Sequence, residues 1–328
     1  MCMTILVTGA NGLLGHWVVQ ELLDRNYTVK IVVRTWKNIF FDLKSVEVIT
    51  GNFTNYETLK KAATGCDAIV HLAATTATNL FHYEDYRKIN VEGSAQVIRV
   101  ANDLQIKTVI YISSSNTIGY GSKDQPANEE SPFQFPFTES FYARSKKEAE
   151  ELFSKFASQK NDRHIIIIHP TFMIGAYDTK PSSGRLLLMG YKPRFMFVPK
   201  GGKNFVAARD VAVAICNALT MGRNGEHYLA AGVNLSFKEF YTLQKQVGNY
   251  QQVIIKLPNF LLKIMGKIGD FFRWLGIKTD VCTMNLQQLM IQEYYSNEKA
   301  KKELMMPQTD IKKAIEETLN WFKYRGWI

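Results

Sequence analysis

The chain has 328 residues, 46% of them hydrophobic and 21% charged, with a formal net charge of +10 at pH 7. Its length exceeds one usual hydrophobic core and excludes a mini-protein, and its composition excludes a disordered, fibrous or collagenous chain. Apolar runs such as Ile165 to Ile168 are far shorter than the roughly 20 residues that a membrane-spanning helix needs. The sequence enters a strand-like run by Thr4 with no basic and apolar leader ahead of it, which predicts a cytoplasmic protein.

Cys2, Cys66, Cys216 and Cys282 lie far apart and form no C-x-x-C pair or Cys/His cluster, so reduced, structural thiols and no metal site are expected. A net positive charge can signal nucleic acid, but there is no basic tail and no aromatic-interleaved basic stripe, and no nucleic-acid partner is expected. The excess is local: residues 160 to 223 hold ten Lys/Arg against three Asp.

Short β-branched runs alternate with longer amphipathic patterns through the first half, the signature of βαβ units and a parallel sheet. Strands are predicted at Thr4 to Thr8, Thr28 to Val33, Val46 to Thr50, Ala68 to Ala73, Thr108 to Ser113 and His164 to His169. Helices are predicted at Leu13 to Arg25, Tyr56 to Ala63, Tyr83 to Leu104 and Tyr142 to Gln159, with a long turn-rich connection from Asn116 to Ser140. After Pro170 the elements are shorter and mixed: a helix at Asp210 to Met221, a strand at His227 to Ala230, and a closing helix within Leu304 to Ile328 capped near Thr309. The expected architecture is α/β, a Rossmann-type doubly wound parallel sheet with a smaller mixed C-terminal lobe. Residues 1–170 would form the dinucleotide-binding domain and 171–328 mainly the substrate lobe, with a segment near 203–221 returning to the first domain.

Thr8-Gly9-Ala10-Asn11-Gly12-Leu13-Leu14-Gly15 follows the first strand and opens the first helix. Gly9 permits a tight turn, Gly12 lets backbone N–H groups approach a pyrophosphate, Gly15 lets helix and strand pack closely, and the helix N-terminus favours an anion. A site for NAD places Asp or Glu near the end of the second strand to grip a ribose 2′-OH. Arg34 stands there instead, with Lys37 three residues on, so a 2′-phosphate and hence NADP is expected over NAD.

Tyr142 and Lys146 lie four residues apart, on one face of a helix. A cation beside a phenol lowers its pKa from about 10 toward the working pH and makes it a usable acid or base. The fifth strand ends in Ser113-Ser114-Ser115, at the sheet edge where open α/β sheets bind ligands.

Together these residues resemble the extended short-chain dehydrogenase/reductases, the NAD-dependent epimerase/dehydratase superfamily. The resemblance runs over most of the chain and includes Val70-His71-Leu72-Ala73-Ala74, Asn90-Val91-Glu92-Gly93 and His169-Pro170 to Gly175. Asp178 to Gly184, Lys203 to Ala212 and Gly225-Glu226-His227-Tyr228 look most like a branch of dihydroflavonol reductase-like and hopanoid-associated sugar epimerase-like proteins. The resemblance implies that Tyr142 is the acid/base, that Lys146 lowers its pKa and holds the nicotinamide ribose, and that Ser114, with Ser115 as the neighbouring alternative, holds the substrate oxygen. It places Gly9, Asn11, Gly12, Leu13, Leu14, Gly15, Asn52, Phe53, Leu72, Ala73, Ala74 and Pro170 along the cofactor. Two positions depart from the family: Asn52 replaces a common Asp, and His169 replaces a frequent Arg. The implied partner surface is a homodimer built on the helices at Tyr83 to Leu104 and Tyr142 to Gln159.

The region after the sixth strand supplies much of the family's substrate pocket, and the basic excess lies there. Either an anionic substrate meets some of Arg185, Lys192, Arg194, Lys203 and Arg209, with Ser115 and Asn116 nearby, or these cations form a solvated face. Residues 259–275 carry Leu261, Ile264, Met265, Ile268, Phe272 and Leu275 on one face and Lys263, Lys267, Asp270 and Arg273 on the other. The stripe is expected to pack on its own domain as a lid or support, with a membrane surface as the alternative, and Gly266 and Gly269 to weaken the helix.

The leading functional expectation is an NADP-dependent oxidoreductase interconverting a ketone or aldehyde with a secondary alcohol. The alternatives are a nucleotide-sugar epimerase or dehydratase that retains NAD(P), a 3β-hydroxysteroid dehydrogenase-like enzyme, and a non-catalytic dinucleotide-binding protein, a class that typically loses the Tyr or Lys kept here.

Overall fold

In the computed structural model, residues 3–77, 79–159 and 162–328 are described. Cys2 and Lys160 lie outside them. The strands in chain order are β1 (Thr4–Thr8), β2 (Thr28–Val33), β3 (Val46–Thr50), β4 (Ala68–His71), β5 (Thr108–Ile112), β6 (His164–Pro170) and β7 (Phe172–Ile174). They continue with β8 (Phe195–Val198), β9 (Gly202–Ala207), β10 (His227–Ala230), β11 (Val233–Ser236), β12 (Val253–Lys256) and β13 (Gln292–Glu293). The helices are α1 (Leu13–Asp24), α2 (Tyr56–Ala63), α3 (Tyr83–Asn90), α4 (Glu92–Asp103), α5 (Phe141–Ser158) and α6 (Arg185–Gly190). Then follow α7 (Ala208–Met221), α8 (Phe237–Val247), α9 (Asn259–Trp274), α10 (Thr283–Gln288), α11 (Glu298–Glu303) and α12 (Ile311–Tyr324).

The near-continuous apolar runs become strands covered on both faces. Seven of them form one parallel sheet in the order β10-β6-β5-β4-β1-β2-β3. Alternation divides their side chains between two cores. Ile5, Val7, Ile166 and Ile168 face α1 and α7, joining Val18, Leu22, Ile215 and Leu219, whereas Leu6, Ile165 and Ile167 face α2, α4 and α5, joining Leu59, Val97, Phe153 and Phe156. A third core unites Phe237 and Phe240 of α8 with Ile315, Leu319 and Phe322 of α12. Strand order reverses between β1 and β4, which opens a crevice above the carboxyl ends of the strands.

Three elements differ from expectation. The helix predicted from Tyr83 to Leu104 is interrupted at Val91, where α3 gives way to α4. The closing helix is capped by Asp310, whose side chain accepts from Lys312 N at 2.9 Å, because Thr309 is turned to Asp210, donating to its Oδ2 from N and to its Oδ1 from Oγ1, each at 2.7 Å.

The third difference is larger. The apolar stripe of α9 does not pack on its own domain: Ile264 and Ile268 are more than half exposed, at 51 and 52%. The packed face is the glycine face. A Cβ at Gly269 would fall 1.7 Å from the Val281 carbonyl oxygen, and one at Gly266 2.8 Å from Thr283 Cα. The two glycines let the helix backbone lie directly against residues 281–283, which leaves the bulky residues to point outward.

Candidate active site

Thr8 ends β1 with its Oγ1 paired to His71 Nδ1 at 2.7 Å and accepting from Ala73 N at 3.2 Å, so the first loop and the loop after β4 are tied together. Gly9, at φ +78°, lies so close to that loop that a Cβ would meet Ala73 N at 2.8 Å. A Cβ at Gly15 would fall 2.1 Å from the Gly9 oxygen. Gly12, the N-cap of α1, supplies no side chain to the helix terminus, and the first turn holds no acid. The cradle therefore has first-turn helix amides that no side chain caps, no competing carboxylate, and room only for backbone, which fits a dinucleotide pyrophosphate.

Around this cradle the other predicted cofactor residues are arranged by the sheet. Leu72, Ala73 and Ala74 leave β4 half-buried, and Leu13 approaches Gly175 beyond β7. Phe53 packs 5.4 Å from the His71 ring and against Gly93, while Asn52 caps a local turn, its Oδ1 accepting from Thr54 N at 3.2 Å. Pro170 is buried beside Ala230. Arg34 and Lys37 are exposed beyond β2, and Trp36 between them donates from Nε1 to Thr50 Oγ1 at 2.9 Å, fixing this loop on the end of β3.

Across the crevice, α5 starts at Ser140, whose side chain caps Ala143 N, and presents Tyr142 and Lys146 one turn apart. The Ser114 side chain stands next to the half-buried Tyr142 phenol. Burial pushes that phenol above its ordinary range, and the Ser114 hydroxyl opposes the shift. Lys146 is 3% exposed, donates from Nζ to the Ile112 carbonyl at 2.6 Å and lies 4.4 Å over the Tyr111 ring. Burial brings its ammonium down to about 7, with the Glu150 carboxylate acting in the opposite sense. Buried His71 is lowered to about 3, first by desolvation and second by Lys146.

The three serines have different partners. Ser113 donates to Glu150 Oε2 at 2.9 Å, Ser114 accepts from Asn116 N at 3.2 Å, and Ser115 is buried with its carbonyl taking the Tyr295 hydroxyl at 3.3 Å. Ser114 is thus the serine brought to the phenol.

Two sets of contacts in this site were not foreseen. Asn90 bonds Thr75 through both amide atoms, at 2.8 and 3.1 Å, and donates from Nδ2 to Ser145 Oγ at 2.9 Å, tying the loop after β4 to the helix that carries Tyr142. Below Ser114, His169 Nδ1 lies 3.2 Å from the Ser114 carbonyl and 3.1 Å from Thr117 Oγ1, and its Nε2 lies 2.9 Å from His227 Nδ1. Thr117 also donates to Glu150 Oε2 at 2.7 Å, and Lys147 to its Oε1 at 2.7 Å. Burial opposes the Glu150 charge, but His169, Lys147 and Thr117 together hold its pKa below the usual carboxylate range. Burial lowers His169 to about 4, so a neutral ring stands where the family often has Arg. His169 drew notice in the sequence only as a departure, and nothing in spacing pairs it with residues 150 and 227.

Three of the five candidate cations pair with later carboxylates, and Lys192 and Arg194 are exposed. Arg185 meets Asp280 at 2.6 Å, Lys203 meets Glu293 at 2.6 Å, and Arg209 meets Glu317 at 3.0 Å while lying 5.2 Å over the Trp17 ring.

A model of the NAD dependent epimerase/dehydratase family matches residues 5–231. The chain belongs to this family. As a member of it, the protein is an NAD(P)-dependent oxidoreductase acting on CH–OH groups. It is 26% identical to a putative dihydroflavonol 4-reductase of Synechocystis sp., over 98% of this chain and 95% of that protein. It is 24% identical to a decarboxylating sterol-4-alpha-carboxylate 3-dehydrogenase of Dictyostelium discoideum, over 83% and 87%. The crystal structure of gox2253 superposes with a TM-score of 0.84 at 27% identity and 99% coverage of both chains. Among the described residues no helix is long and apolar enough to cross a membrane.

Proposed function

We propose that this family member is an NADP-dependent oxidoreductase interconverting a ketone or aldehyde with a secondary alcohol, with Ser114, Tyr142 and Lys146 as its catalytic residues. The observation that carries this reading is the buried Lys146, fixed by the Ile112 carbonyl one turn from the half-buried Tyr142 phenol, with Ser114 beside that phenol. The bound nicotinamide supplies a two-electron source or sink. Ser114 would donate to the substrate oxygen and stabilise the charge developing there. Tyr142, kept protonated by its burial, would release its proton to that oxygen in the reductive direction and recover one in the reverse. Lys146 would anchor the nicotinamide ribose and, when charged, favour the phenolate that the oxidative direction needs.

Arg34 at the end of β2, where a carboxylate would select NAD, supports NADP through a charge-assisted bond to a 2′-phosphate. A sterol-like secondary alcohol is the second reading, favoured by the likeness to the sterol-4-alpha-carboxylate 3-dehydrogenase. A homodimer through α3, α4 and α5 is part of the same reading. Any nucleotide carried through purification should be identified by denaturation and mass spectrometry, and the stripped protein titrated with NADPH and NADH. Exchangeable binding with NADPH preferred is expected. Tightly retained NAD would overturn the reading in favour of an epimerase or dehydratase.

A further inference from the structure

Helix α9 divides into three arcs when its residues are placed about 100° apart. Gly269, Leu262, Arg273 and Gly266 form the arc against the protein. Lys263, Lys267 and Asp270 form a polar arc, all exposed. The remaining arc, about 140° wide, is entirely apolar and open: Phe260, Leu261, Ile264, Ile268, Phe271 and Phe272 are between 37% and 60% exposed, with Met265 and Leu275 among them. Trp274 at the end of the helix is 79% exposed.

The surface does not stop at the helix. Strand β12 runs into α9 through Leu257 and Pro258, and pairs in parallel with β8, Val253 opposite Phe195 and Ile255 opposite Phe197. All four of these side chains are exposed. Between residues 253 and 278 the chain has five Lys/Arg and a single acid, Asp270, which is occupied in accepting from Thr283 N at 3.0 Å. Lys192 and Arg194 stand exposed just before β8, beside the rings of Tyr191 and Phe195.

We propose that α9 and the β8–β12 ribbon dock the protein on a lipid bilayer bearing anionic headgroups, with the apolar arc in the acyl boundary and Lys263 and Lys267 at the phosphates. An apolar arc edged by lysines and ended by a tryptophan matches the depth profile of a bilayer interface. The charge selects lipid over a second copy of this chain, which would bring the same basic edge to the contact, whereas phosphates complement it. The docked helix would sit beside the candidate active site. Arg273 donates from Nη2 to the Leu80 carbonyl at 3.0 Å and lies 5.2 Å over the Phe81 ring, in the loop after β4 that Asn90 ties to Ser145. The inference goes beyond the proposed reaction and does not depend on it.

The test is co-sedimentation of the full chain with vesicles of phosphatidylcholine alone and of phosphatidylcholine with phosphatidylserine, alongside I264E/I268E and K263Q/K267Q. The wild type is expected to bind the mixed vesicles. I264E/I268E, altered only at exposed positions, should lose about 100-fold or more in affinity. K263Q/K267Q should lose about 30-fold on mixed vesicles and little on neutral ones. Both variants should titrate NADPH as the wild type does, which separates loss of docking from loss of fold. Failure of the wild type to bind mixed vesicles would overturn the proposal, as would equal binding by I264E/I268E. A wild-type dimer that I264E/I268E converts to monomer, without vesicle binding, would assign the surface to a second copy instead.

Discussion

The Lys146 ammonium donates to the Ile112 carbonyl at 2.6 Å, joining the helix that carries Tyr142 to the strand that delivers Ser114. The bond sets the separation of the two groups that would share a substrate oxygen. Tyr142→Phe keeps the ring and removes the proton. Its turnover should fall by about 10²- to 10⁴-fold, with the NADPH dissociation constant nearly unchanged; steady-state kinetics with fluorescence titration checks both.

The glycine cradle predicts a contrast between two substitutions. A Cβ at Gly15 overlaps the Gly9 oxygen at 2.1 Å, so Gly15→Ala should destabilise by about 1–3 kcal/mol and weaken dinucleotide binding. Gly65, at φ +76° with nothing within 4 Å, should cost only about 1–2 kcal/mol as alanine, by backbone strain alone, and leave binding intact. Denaturant melts with a binding titration separate the two.

Arg34 is exposed at the end of β2. Arg34→Ser should weaken NADPH binding by about 10- to 100-fold, the worth of one charge-assisted bond, and leave NADH binding within about twofold. Calorimetric titration of the wild type and the variant with both nucleotides measures this.

Three buried histidines set an acid limit on stability. Burial holds His16 near 4, His169 near 4 and His71 near 3. Each is depressed below its unfolded value of about 6.5, so the unfolded chain binds more protons between the two values. Stability is then full above about pH 6.5 and falls as the pH drops toward 4, by up to about 1.4 kcal/mol per pH unit for each histidine. Urea midpoints measured across that window should show the decline, and His169→Asn should make it shallower.

What could be read in the sequence followed from local physics. The strands β1, β2 and β6 and the Gly9 to Gly15 turn were legible because apolar runs covered on both faces and a glycine-spaced loop leave periodic marks, and the edge strand β3 was legible from its β-branched residues. The Tyr142 and Lys146 pair was legible from helical spacing. The link from Asn90 to Ser145 and the Glu150, His169 and His227 network were not, because Asn90 and Ser145 are 55 residues apart and His169 and His227 are 58 apart, and only the packing of α3, α5, β6 and β10 brings them together. The pattern of α9 showed an apolar stripe but could not say which face is buried. Gly266 and Gly269, which weaken an isolated helix, decide it by allowing the backbone to approach residues 281–283.

The most direct test of the proposed reaction follows a label. NADPH deuterated at the transferable position would be incubated with a panel of ketones and aldehydes, sterol-like ketones included, and the products read by mass spectrometry. The account predicts oxidised cofactor and alcohol formed in equal amounts, one deuterium on each carbinol carbon, and loss of both with Tyr142→Phe. An isomerised or dehydrated product formed with no net oxidation of the cofactor would contradict it.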